Sequence, residues 1–152
     1  MPKLFHPKNP HLGNPKIAIF YLHCLRNHWS VPGKLLGLLL NCELPCKIPD
    51  RLFLPHPYGI VLGRESQLSN DVAILQQVNL GCRKPYGRED GEDGYPVIKE
   101  GAYLGPGAKI MGPVVIGEWA VIGANAVITV DVPPYAVAVG YNKILDKKST
   151  DF

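Results

Sequence analysis

An aliphatic residue returns every six positions along the second half of this sequence: Ile98, Leu104, Ile110, Ile116, Ile122 and Ile128. Four residues after each stands a small or β-branched one: Ala102, Ala108, Val114, Ala120, Ala126 and Val132. Glycine directly follows the aliphatic residue at Gly105, Gly117 and Gly123. The same register runs upstream through Leu62, Leu68, Ile74 and Leu80, with Ser66, Val72 and Val78 in the fourth place. It reaches back through Cys42, Ile48 and Leu54, with Cys46, Leu52 and Tyr58 in the fourth place. Ile60 and Val61 are two extra residues between these blocks.

A period of six is neither that of a helix nor that of a simple alternating strand. A β-sandwich would space its strands by roughly 8–12 residues with alternating polarity. The six-residue period instead predicts a short strand, a corner, and a repeat. Three such hexads close one triangular coil, and coils stack at about 4.8 Å. The expected fold is mainly β, a left-handed parallel β-helix. The aliphatic residue points inward, the fourth-place residue is small because it packs near a corner, and glycine is expected to support the tight turn.

The flanks break the pattern. Residues 1–15 read as a loosely held arm. Ile17–Trp29 carries apolar residues at helical spacing, Ser30-Val31-Pro32 is expected to break that helix, and Gly33–Leu40 reads as a second one. Together residues 1–41 form an arm and helical cap over the open first coil, whose unpaired strand edges need cover. Residues 42–133 form the β-helix, interrupted by a polar, glycine-rich loop at Cys82–Pro96, of a length more often functional than decorative. Pro133-Pro134 is expected to end the coil. In the tail, 134–152, Tyr135–Leu145 reads as an extended strand along the prism.

Composition excludes several classes. The formal charge is only +3 and the basic residues form no run, so nucleic acid is not an expected partner. The apolar stretches Ile17–Leu22 and Leu35–Leu40 fall far short of the roughly 20 residues of a membrane span, and no signal peptide is visible. Cys24, Cys42, Cys46 and Cys82 lack a second Cys or His pair at zinc-ligand spacing. They read as reduced, buried thiols of a cytoplasmic protein, and no metal is expected.

Three segments carry a family resemblance: LPHPYGIVLG (Leu54–Gly63), VAILQQVNLG (Val72–Gly81) and VITVDVPPYAVAVG (Val127–Gly140). With the hexads and the protruding loop, they resemble hexapeptide-repeat acyltransferases of the serine acetyltransferase type. They are still more similar to the short serine-acetyltransferase-like O-acetyltransferases associated with surface polysaccharide synthesis. The resemblance covers Asn41–Leu145. It implies a homotrimer, acetyl-CoA as co-substrate, and a cofactor site along the C-terminal coils between neighbouring subunits.

It also implies residues. His56 is the implied general base, and it alone of the five histidines lies within the repeats. An alcohol attacking a thioester needs a base poised near neutrality, which suits imidazole. The family's Asp partner falls on Asn41, which can accept a hydrogen bond from the ring but adds no charge; Asn41 reads equally as a helix C-terminal residue. The cofactor residues carried over are Gly81, Cys82, Gly105, Pro106, Lys109, Gly123 and Ala124. Lys143 is added for a CoA phosphate, although the family's closing element is altered here. For the acceptor, the family's Asp before the histidine is Pro55, and its Arg-His pair at the end of the loop is Gly94-Tyr95. Those changes favour a sugar or glycan hydroxyl over free serine, contacted by Tyr58, Arg88 and Tyr95. Serine O-acetylation and a non-catalytic β-helix assembly module stand as the alternatives.

Overall fold

The computed structural model describes residues 13–83 and 94–145. Two helices come first, α1 (Lys16–Arg26) and α2 (Ser30–Leu40). Short strands follow: β1 (Leu52–Phe53), β2 (Val61–Leu62), β3 (Gln67–Leu68), β4 (Val72–Ile74), β5 (Asn79–Gly81) and β6 (Val97–Ile98). The series continues with β7 (Tyr103–Leu104), β8 (Lys109–Met111), β9 (Val115–Ile116), β10 (Val121–Ile122), β11 (Val127–Ile128), β12 (Val137–Val139) and β13 (Lys143–Leu145). From β1 to β11 every third strand joins the same sheet, and β12 then extends the first. One face of the prism is β1-β4-β7-β10-β12, the second β2-β5-β8-β11 and the third β3-β6-β9. The coil spacing is eighteen residues, as in the pairing of Val61 with Asn79 and of Lys109 with Val127. This is the expected β-helix.

Its irregularities matter. Leu52 pairs with Val72, twenty residues on, so the two extra residues fall in the corner between β1 and β2. Asn79 pairs with Lys109 thirty residues on, twelve more than the usual coil, and the excess falls within Cys82–Pro96. Val121 pairs with Val137 after only sixteen, so Pro133-Pro134 shortens the last coil and does not end it. The expected single strand over Tyr135–Leu145 is a hairpin. β12 continues the sheet and β13 returns antiparallel to it, through a turn with positive φ at Gly140 and Asn142.

The inward aliphatic residues from Ile98 to Ile128 are wholly buried, as are Ala102, Ala108, Ala120 and Ala126. Tyr58 departs from the expected pattern. It is 54% exposed, and Ile60 takes the inner place instead. The reason is the two-residue excess, which pushes the corner outward and resets the phase.

Glycine's role also differs from expectation. Gly105, Gly117 and Gly123 do not have positive φ. The left-handed corner positions are Gly59, Gln77, Gly107 and Asn125 on one edge, and Asp71, Gly101, Trp119 and Tyr135 on another. Gly105 is glycine because a Cβ there would meet the backbone of the next coil.

The helices cover the first coil. Pro32 does not break the chain. It lies in the first turn of α2, where its missing N–H has no helical partner to lose. Asn14 is tied down: it donates to Leu52 O at 2.8 Å and accepts from Leu54 N, occupying a free edge of β1. Glu43 does the same for β2, accepting from Leu62 N and donating to Ile60 O. No helix among the described residues is long and apolar enough to cross a membrane.

Candidate active site

The corner between β1 and β2 reads Pro55-His56-Pro57-Tyr58-Gly59. Pro57 restricts His56 to extended backbone, and Pro55 fixes its own φ. Tyr58 N donates to His56 O at 2.8 Å around Pro57, closing a three-residue turn. Beneath the turn, the Cys42 thiol donates to Pro57 O at 3.2 Å and accepts from Ile60 N at 3.4 Å. Burial pushes the Cys42 thiol pKa up, so it serves as a packed neutral hydrogen-bonding group. The corner is held from both sides, and His56 is its exposed tip.

His56 borders an open cavity of about 470 Å³. Leu39, Leu40 and Asn41 supply one wall from the end of α2. His56, Tyr58 and Gly59 supply the second, and Gln76 and Gln77 the third, from the same corner one coil on. Asn41 is the C-cap of α2, with φ 51° and ψ 44°. The left-handed turn that ends the helix is also what brings Asn41 to the cavity. Among the described residues no hydrogen bond joins it to His56.

The sequence reading did not single out Gln76 and Gln77. The signal was there: they stand eighteen positions, one coil, after Tyr58 and Gly59. Gln77 holds φ 61°, where Gly59 and Gly107 stand in the adjoining coils.

The edge continues past the cavity. Gln77 N donates to Tyr58 O, Gly107 N to Gln76 O, and Asn125 N to Pro106 O, each at 2.8 Å. This ladder places Gly105 and Pro106, then Gly123 and Ala124, on the edge that begins at His56. The Ala124 coil is three steps from the His56 coil, roughly 14 Å. The Lys109 ammonium lies along the same edge, donating to Gln77 O at 2.7 Å and Gly107 O at 3.1 Å. These two bonds make it a clamp between coils.

The remaining expected residues are elsewhere. Gly81 ends β5 and Cys82 follows it, on the corner leading to the third face, away from the cavity walls. Tyr95 is on that second corner too, with its ring against Gly63. Lys143 is exposed on β13. Arg88 lies outside the described residues. Cys24, Cys42 and Cys46 are buried and free, as expected, and Cys82 is half-buried.

Residues 95–129 match the bacterial transferase hexapeptide family (six repeats). The chain is similar to the serine acetyltransferase of Haemophilus influenzae, 46% identical over 122 residues, which is 74% of this chain and 44% of the relative. It is 41% identical to that of Escherichia coli K12 over 140 residues, 91% of this chain and 46% of the relative. This chain is a hexapeptide-repeat protein that resembles the serine acetyltransferases. A solved serine acetyltransferase in complex with CoA superposes on the hexapeptide-repeat chain with a TM-score of 0.65 at 30% identity, covering 82% of this chain and 52% of that one. Another, in complex with cysteine, gives 0.62 at 34%, covering 84% and 56%. The chain thus spans about half the length of the relatives it matches.

Proposed function

We propose that this chain is an acetyl-CoA-dependent O-acetyltransferase with His56 as its general base. The observation that carries the reading is one prism edge that presents His56 over a cavity and then runs through Pro106, Lys109 and Ala124. The matched relatives are named serine acetyltransferase, and one of the solved structures holds CoA.

In the proposed reaction the acceptor oxygen attacks the thioester carbonyl while the imidazole takes the hydroxyl proton. The carbon–sulfur bond then breaks, and the leaving thiolate takes that proton from the imidazolium. Asn41, on the cavity wall at the end of α2, is the partner assigned to orient the ring, a role that needs a hydrogen bond to His56 absent among the described residues. The cofactor lies along the edge, over Gly105, Pro106, Lys109, Gly123 and Ala124, with Lys143 toward its phosphates. Gly81 and Cys82 sit on a different edge from His56, so they reach the same thioester only across an interface between copies, which fits a homotrimer.

The relatives' names favour serine as acceptor over the sugar that the sequence alone put first. A sugar hydroxyl stays as a second reading on one observation: the polar cavity wall consists of an imidazole, a phenol and three carboxamides, suited to neutral hydroxyls. Tyr58 is assigned to the acceptor in either case, with Tyr95 reaching it across that interface between copies; Arg88 is assigned there as well. The test is thiol release from acetyl-CoA with L-serine against a panel of sugars, with products identified by mass. Serine-dependent release with formation of acetylserine is the expected result. Release with sugars alone moves the acceptor to the second reading, and no acceptor-dependent release overturns the proposed activity.

A further inference from the structure

We infer that Gln76 holds the acceptor substrate, its side-chain oxygen accepting a hydrogen bond from an O–H or N–H group of that substrate. The inference rests on the transferase reading above and names a residue to which nothing else in the site assigns a role. Gln76 Oε1 is shielded from solvent, and among the described residues it has no hydrogen-bond partner. A shielded amide oxygen without a partner is rare in native proteins, because it has given up water and gained nothing. The residue borders the same cavity as His56, and a turn about its terminal torsion, which is soft in glutamine, brings the shielded oxygen to that space. Its backbone is held in place, since its carbonyl accepts from Gly107 N at 2.8 Å, and the next residue has left-handed φ. Ser66 Oγ is likewise shielded and without a partner among the described residues, but Ser66 is not on the wall of the His56 cavity. The combination of an orphan acceptor and an open space beside a base is found at Gln76.

The chemistry sets the ligand class. A carboxamide oxygen accepts and carries no charge, so it selects a donor: a second hydroxyl of a sugar, or the ammonium of an amino acid. It does not select the thioester, which has no such donor at the reacting carbon.

The experiment is steady-state kinetics of the full chain with Gln76→Leu and Gln76→Glu, varying acceptor and acetyl-CoA separately, with assembly state checked by sedimentation. For Gln76→Leu, KM for the acceptor should rise about tenfold, with KM for acetyl-CoA unchanged. Gln76→Glu retains acceptor oxygens and should recover binding. It should favour an ammonium-bearing acceptor over a neutral sugar, because the bond becomes charge-assisted. Equal loss toward acceptor and acetyl-CoA, no loss at all, or a change of assembly state in Gln76→Leu would each overturn the inference while leaving the activity standing. A wild-type chain that acetylates no hydroxyl overturns the transferase reading itself, and the inference with it.

Discussion

Replacing Gly105 by alanine separates close coil approach from left-handed backbone as the reason for glycine in the hexad. An added Cβ would stand 2.6 Å from Ile122 O, 2.9 Å from Ala124 N and 2.9 Å from Gly123 C. All three are backbone atoms of the next coil, which is pinned by Gly105 N donating to Ile122 O at 2.8 Å. A side chain could rotate away from the intruding methyl, but a laddered backbone cannot. Overpacking costs about 1–3 kcal/mol, and the rigid neighbours put this site near the top, about 3 kcal/mol. For a chain of this size that is a Tm lower by roughly 6–12 °C. Gly140 is the control, with φ +57° and nothing within 4 Å of an added Cβ. Gly140→Ala meets only the left-handed penalty, about 1 kcal/mol, or roughly 2–4 °C. Both are read by thermal unfolding at one protein concentration, since assembly makes Tm concentration-dependent. Equal shifts for the two variants, or a larger one at Gly140, would refute the packing argument.

Three further outcomes follow from the same structure. Ser66→Ala should stabilise the fold by about 1 kcal/mol, because it removes a buried hydroxyl without a partner among the described residues, at a position where other coils carry Ala102, Ala108, Ala120 and Ala126; urea unfolding checks it, and a loss of stability contradicts it. The Arg51 guanidinium, paired with Asp71 by two bonds of 2.7 Å, holds the Asp71 carboxyl below its ordinary range. A lowered carboxyl contributes above its unfolded pKa and loses that contribution as pH falls through the folded one. Arg51→Met should therefore cost stability at pH 7, and its gap from wild type should narrow below about pH 4; a gap that does not change with pH excludes the pair as its cause. Burial pushes the Cys46 thiol up to about 11, so it should resist iodoacetamide at about pH 8 in the native chain and react once unfolded, read by peptide mass.

The fold was legible because the prism repeats its demand at every coil. Each interior position from Ile98 to Ile128 faces the same space, so one period carries through the sequence. What escaped was whatever depends on the neighbouring coil. Gly105 and Gly107 look alike in sequence, yet one answers a neighbour's backbone and the other a left-handed φ. Tyr58 looked inward by count, but the two-residue excess in its corner moved it out and Ile60 in. Pro32 read as a breaker since composition does not show that a helix begins two residues earlier. At the site, His56 stood out by chemistry. Gln76 did not, because a glutamine has no signature until its partners are counted. The division of the expected cofactor residues between two prism edges was also invisible, because family resemblance carries positions without saying which copy supplies them.

The central claim is that His56 activates a hydroxyl for attack on acetyl-CoA, and thiol release by His56→Ala under saturating substrates tests it most directly. Turnover should fall by roughly 10²–10⁴-fold, with CoA affinity and assembly state unchanged, since His56 is an exposed tip whose corner is held by Pro55, Pro57 and Cys42. Turnover equal to wild type in a folded His56→Ala protein would contradict the account.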